Sequence, residues 1–190
     1  VTILIVATGN PGKLREMQRY LRGLDWELEL KPPELDVEET GTTFGENARL
    51  KASQVALATG QWAIADDSGL TVNALQGAPG VHSARYGTSD NDRIQRLLRE
   101  LQGQRQRQAQ FRCVVALARP DGSIALEAEG ICPGEILVQP QGEGGFGYDP
   151  IFYVPELDLS FAEMTPEQKR EVSHRGKAFA TLLPLLQAQQ

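Results

Sequence analysis

Hydrophobic positions fall into short blocks whose spacing changes along the chain, and the changes mark the elements. Val1 to Ala7 is a continuous apolar run, the pattern of a strand buried on both faces. Leu14, Met17, Leu21 and Leu24 then recur at helical spacing and predict an amphipathic helix beginning near Lys13, with Gly23 at its frayed end. The stretch LKPPELDVEETGTTF is a loop by its prolines and turn residues. Thr43 with Glu46 three residues on is a capping-box pattern, opening a helix that runs to Thr59 and stops at Gly60. WAIADDSG reads as a brief strand ending in two aspartates.

A second amphipathic helix is expected over Arg93 to Leu101, with Ile94, Leu97, Leu98 and Leu101 on one side, and GQRQRQAQ after it as a polar connector. FRCVVALARPDGSIALEAEG predicts a hairpin around Pro120-Asp121-Gly122. PQGEGGFGYDP is a glycine-rich loop, and Thr165, Pro166 and Gln168 mark another helix start. Ser173 is placed to cap a last helix that buries Phe179, Leu182, Leu183 and Leu186 and should kink at Pro184. Helices and strands interleave while one hairpin stands apart, so an α/β fold with a mixed sheet and flanking helices is expected.

Composition narrows the function. The chain has 190 residues, 41% hydrophobic and 23% charged, which suits one domain or two closely joined lobes with a substantial core. A net charge of −6 argues against a general nucleic-acid or membrane-surface binder, so an anionic ligand would need a local cluster of Lys and Arg. Cys113 and Cys132 form neither a metal spacing nor a disulfide framework and read as buried thiols. No apolar stretch approaches the ~20 residues of a membrane span. The N-terminus shows no basic segment leading into an apolar one, so a cytoplasmic location is expected by default.

The candidate chemistry starts after the first strand. Gly9-Asn10-Pro11-Gly12-Lys13-Leu14 is two residues shorter than the common phosphate loop, and Leu14 stands where that loop keeps its metal-binding hydroxyl. The glycines let backbone approach a phosphate, the helix start offers free N–H groups, and Lys13, Thr8 and Asn10 add charge and hydrogen bonds. The alternative is a plain strand-to-helix turn with an exposed lysine. A metal would then be held elsewhere, by carboxylates. Asp66 and Asp67 should point to opposite faces of their strand, and Asp67 with Glu38 or Glu39 would satisfy Mg²⁺, which takes one or two carboxylates plus waters and substrate phosphates. Asp-Asp-Ser-Gly and Glu-Glu-Thr-Gly are also good turns. Lys51 is either a second phosphate ligand or a solvent-facing helix lysine. Arg85 is open between a ligand contact and an interface or structural role, and His82 reads as a turn or packing residue in preference to a ligand.

Phe146 and Tyr148 lie among glycines, as a stacking platform for a base or as aromatics capping the core, the second being preferred for Tyr148. Lys169, His174 and Arg175 stand near a helix start, where His174 or Arg175 could donate to a purine O6; an adenine would present a donor there instead.

In order along the chain, ATGNPGK, EETGTTFGENARLKA, IADDSGL, GAPGVHSARYG, GGFGYDPIF and SHRGKA resemble the inosine triphosphate pyrophosphatases, the RdgB type of bacterial dITP/XTP pyrophosphatase. The resemblance covers nearly the whole chain. It implies one domain over residues 1–190 with an elongated two-lobed fold, a central cleft, and a homodimer. Its implied triphosphate loop is Thr8, Gly9, Asn10, Pro11, Gly12 and Lys13, with Glu39 and Asp67 as Mg²⁺ ligands and Asp67 also as the base. Ser68, Phe146, Gly147, Tyr148, Asp149, Lys169, His174 and Arg175 match as substrate contacts, and Lys51 as a lysine helping to hold phosphates. The implied reaction cleaves ITP, dITP or XTP between the α and β phosphates. A Maf-like pyrophosphatase would carry serine and arginines after the first strand, a kinase-like loop would keep the hydroxyl, and a nucleotide sensor would bind without turnover.

Overall fold

The first apolar run forms β1 (Thr2–Val6), in which Leu4, Ile5 and Val6 are all buried, as a strand covered on both faces requires. The structure, a computed structural model, describes residues 2–189; Val1, the expected first residue of this strand, lies outside the described residues. Helix α1 (Pro11–Tyr20) follows, then β2 (Trp26–Leu30), α2 (Phe44–Thr59), β3 (Trp62–Val72) and α3 (Asp90–Glu100). The hairpin is β4 (Gln108–Ala118) and β5 (Ile124–Ile136), followed by β6 (Phe152–Val154), β7 (Leu159–Ser160), α4 (Pro166–Val172) and α5 (His174–Gln187). One seven-stranded sheet has the order β2-β1-β3-β4-β5-β6-β7. It is mixed: β1 runs parallel to β2 and β3, while β6 is antiparallel to β5 and β7. This is the expected α/β architecture.

Chain contacts divide the molecule into two compact units. Unit 1 is Val1–Asp67, Cys113–Gly130 and Arg175–Gln190; unit 2 is Ser68–Arg112 and Ile131–His174. The core of unit 1 gathers Leu4, Val6, Met17, Ile64, Val115, Phe179 and Leu182, and that of unit 2 gathers Leu70, Leu97, Phe111, Ile151, Phe152 and Phe161. Each such side chain contributes about 1.5–3 kcal/mol on full burial, so each unit has its own apolar support.

Several local expectations hold. Thr43 and Glu46 make both bonds of a capping box, and α2 ends on Gly60 at φ +65. Thr165 and Gln168 do the same for α4. Ser173, expected to cap the last helix, is the extended residue that ends α4, and Pro184, where a kink was expected, lies inside α5. Both cysteines are buried and free.

Others need correction. The strand at WAIADDSG does not end at the aspartates: β3 continues five residues past Asp67, so both carboxylates sit mid-strand. Buried charge is tolerated there because cations from other segments meet it. The polar connector is shorter than expected, since Gln108, Ala109 and Gln110 already belong to β4 and Ala109 is buried. Helix α3 starts three residues early, where Ser89 Oγ accepts from Asp92 N–H. β2 was not expected from sequence; its residues WELEL pair in parallel with β1.

Candidate functional site

In unit 1 the loop after β1 is organised by Asn10. Its Oδ1 accepts from the N–H groups of Gly12 (2.9 Å) and Lys13 (3.2 Å), while its own N–H donates to Thr8 Oγ1 at 3.2 Å. Helix α1 therefore begins at Pro11, not near Lys13, and Asn10 itself satisfies the N–H groups expected to be free for a phosphate. Proline has no N–H to offer. What the loop presents instead is Gly9, where an added Cβ would meet nothing within 4 Å, and the side chain of Lys13.

The two aspartates part company, as strand alternation demands. Asp66 is fully buried, and its Oδ2 meets Lys13 Nζ at 3.3 Å and Arg175 Nε and Nη2 at 3.1 and 3.0 Å. Burial opposes its charge, but Lys13, Arg175 and Lys51 outweigh burial and hold the carboxyl well below the usual range. Its Oδ1 finds no hydrogen-bond partner among the described residues. Cys113 Sγ lies 3.8 Å from Oδ2, and burial, with Asp66 beside it, pushes that thiol up.

Asp67 belongs to a different set. Its Oδ2 accepts from Asn47 Nδ2 at 3.1 Å, and its Oδ1 lies 3.9 Å from Lys51 Nζ. Lys51 Nζ in turn donates to Glu39 Oε1 at 2.6 Å. Two carboxylates from separate segments thus face one ammonium. Burial raises the Asp67 carboxyl and Glu39 adds to the rise, against the pull of Lys51 and Lys13. Burial works against the charge on Lys51, but Asp66, Asp67 and Glu39 prevail and raise it. Of the acidic pair before α2, Glu39 is the half-buried member and Glu38 the exposed one. Asn47 was not singled out from sequence: its Oδ1 also accepts from Gly41 N–H at 2.8 Å, tying the acidic loop and Asp67 to one amide.

In unit 2, Asp149 Oδ2 accepts from Lys169 Nζ at 2.6 Å and from Phe146 N–H at 3.0 Å, both groups being almost wholly buried. Lys169 Nζ also lies 4.7 Å from the centre of the Phe146 ring. The left-handed turn at Gly145 (φ +72) makes this possible, because a Cβ there would overlap Asp149 Oδ2. Gly147 N–H donates to Asp90 Oδ2 at 2.9 Å. The Tyr148 hydroxyl is buried and donates to Ser83 O at 2.7 Å, the core-capping role preferred from sequence. Ser68 is half-buried on β3.

His174 and Arg175, neighbours in sequence, fall into different units. The His174 ring stacks on Phe111, with centroids 4.6 Å apart and planes 12° off parallel, and faces Phe161 at 6.1 Å. Arg175 is 1% exposed and gives Nη1 to Glu16 Oε2 at 2.6 Å besides its bonds to Asp66. Within unit 1 its fork is engaged by Glu16 and Asp66. Glu16, Phe111 and Phe161 carried no local motif and were missed for that reason.

Two paired-lysine sets, one with carboxylates of a mid-sheet strand and one beside an aromatic and a glycine turn, are equipment for a polyanion and a flat polar ring. The chain belongs to the Ham1 family, whose model matches residues 4–185. A protein of Nostoc sp. named dITP/XTP pyrophosphatase is 72% identical over 186 residues, covering 98% of this chain and 95% of that one. A namesake from Synechocystis sp. is 66% identical over 95% of this chain and 93% of its own. Among solved structures, a HAM1 protein from Coxiella burnetii superposes with a TM-score of 0.89 at 43% identity, covering 98% of both chains. The Staphylococcus aureus Ham1 protein gives 0.88 at 42% identity over the whole of both chains.

The Mg²⁺ that the family resemblance implies can be tested against these donors. Glu39 and Asp67 offer hard carboxylate oxygens directed at a common cation, here the Lys51 ammonium, and Mg²⁺ takes one or two such groups. Among the described residues no group of three or more His, Cys, Asp or Glu comes together as a metal cage. The pair fits an ion that draws its remaining ligands from water and substrate.

Proposed function

We propose that this protein is a Mg²⁺-dependent nucleoside triphosphate pyrophosphohydrolase that converts ITP, dITP and XTP to the monophosphate and pyrophosphate. The observation that carries the reading is the meeting of Glu39 and Asp67 around Lys51, with Lys13 held by the neighbouring aspartate. The relatives named dITP/XTP pyrophosphatase, identical at up to 72% of positions, support the choice of substrate.

Lys13 and Lys51 serve the triphosphate, neutralising charge that grows on the departing pyrophosphate. Asp67 receives the proton of the attacking water as oxygen bonds to the α phosphorus and the bond to the β-phosphate oxygen breaks. Asn47 fixes the carboxylate's orientation. When bound, Mg²⁺ supplies charge neutralisation on the phosphates and acidifies water. Phe146, Asp149, Lys169 and His174 read the base, with Lys169 and His174 as donors toward the 6-keto edge. Adenine would set a donor against a donor, at a cost of about 1–3 kcal/mol when buried.

The test is a panel of nucleoside triphosphates with Mg²⁺, scored for monophosphate and pyrophosphate. ITP, dITP and XTP should be turned over and ATP refused, with activity lost on chelation and restored by Mg²⁺. Release of orthophosphate, or equal turnover of ATP, overturns the reading. The family resemblance further supports a homodimer in the cytoplasm, and light scattering on the purified protein tests the dimer.

A further inference from the structure

Around Asp66 the charges close into a ring. Lys13 on α1 meets Asp66 on β3, Asp66 meets Arg175 on α5, and Arg175 returns to α1 through Glu16, three residues after Lys13. Two cations and two anions balance, so the ring carries no net charge before any ligand arrives. Its members are graded in exposure: the Asp66 side chain is 0% exposed, Arg175 2%, Glu16 12% and Lys13 16%. The lysine is the most exposed of the four. An arginine fork, always protonated and rigid, is suited to such a fixed buried pairing, whereas a lysine is a mobile point charge with three donors.

Two donors of Arg175 and the ammonium of Lys13 all meet a single oxygen, Asp66 Oδ2. The position of that oxygen is therefore set by Arg175, and the position of the lysine by the oxygen. An unanchored lysine side chain loses rotamer freedom when a ligand fixes it, a loss the ring incurs during folding instead. With one direction spent on Asp66, the ammonium keeps donors for an incoming anion.

We propose that Glu16, Arg175 and Asp66 are positioning residues that hold the Lys13 ammonium ready for the phosphates, with Arg175 acting through Asp66. The inference rests on the functional reading above, in which Lys13 serves the triphosphate.

A double-mutant cycle tests it. Glu16→Gln keeps shape, leaves every proposed substrate contact in place, and loosens Arg175. It should lower kcat/KM for ITP roughly three- to thirty-fold in the wild-type background, mainly through KM, and cause no further loss when Lys13→Ala is already present. Asp66→Asn should follow the same pattern with a larger single effect. Full activity in both variants overturns the proposal, as does an equal loss with and without Lys13, which would mean a general structural role. Affinity for inorganic triphosphate, read by calorimetry on the same four proteins, should show the same coupling. A wild-type protein that releases no pyrophosphate would sink the functional reading, while the calorimetric cycle would still decide this one.

Discussion

Replacing Asp149 by Asn isolates the buried pair of unit 2. The change preserves size and can still accept from Phe146 N–H, but removes the charge opposite Lys169. The lysine side chain is 8% exposed and the aspartate 5%, with 2.6 Å between Nζ and Oδ2. Water therefore cannot replace the lost carboxylate, and the usual discount for a surface pair does not apply. Breaking a buried pair by removing one partner costs about 3–5 kcal/mol. In a chain of this length 1 kcal/mol moves the melting temperature by about 2–4 °C, so a fall of about 6–20 °C is expected. Total stability of about 5–15 kcal/mol leaves the variant folded in the cold. The assay is thermal unfolding followed by circular dichroism, run beside Lys169→Met and the double variant. The double variant should melt above Asp149→Asn, because it no longer strands a buried ammonium. A single variant melting within about 2 °C of wild type, or a double variant that simply adds the two losses, would refute the claim that this pair is desolvated and mutually dependent.

Three further outcomes are expected. Asp67→Asn should lower turnover of ITP by about 10²–10⁴-fold with little change in stability, as measured by pyrophosphate release and a melting curve; unchanged turnover would remove Asp67 from the role of base. Phe111→Leu takes away the ring on which His174 stacks, so KM for ITP should rise with kcat largely kept, and stability should fall by about 1–2 kcal/mol in chemical denaturation. Gly145→Ala puts a side chain into a left-handed turn, at about 1–2 kcal/mol, and against Asp149; both the melting temperature and the affinity for ITP should drop, and a neutral result would mean the turn yields freely.

Most features set by neighbours within a few residues could be read from the chain alone. The capping boxes at Thr43 and Thr165 link positions three apart, and the helical stripes and the hairpin turn are likewise short-range, so they were legible and the α/β class followed from them. The helix start at Asn10 was misplaced although its signal was local, because Asn10 was read as a phosphate ligand and not as the cap it is. Tertiary structure decided the fate of the charges. Nothing near Asp66 in sequence says that a strand may run straight through it, since Lys13 and Arg175, which neutralise it, come from segments 53 residues before and 109 after. The same long-range pairing sends Arg175 to Asp66 and leaves His174, its neighbour, on Phe111. Local pattern fixes backbone shape, but a buried charge is stable only beside its counter-charge, and which counter-charge it meets is known only once the chain has folded.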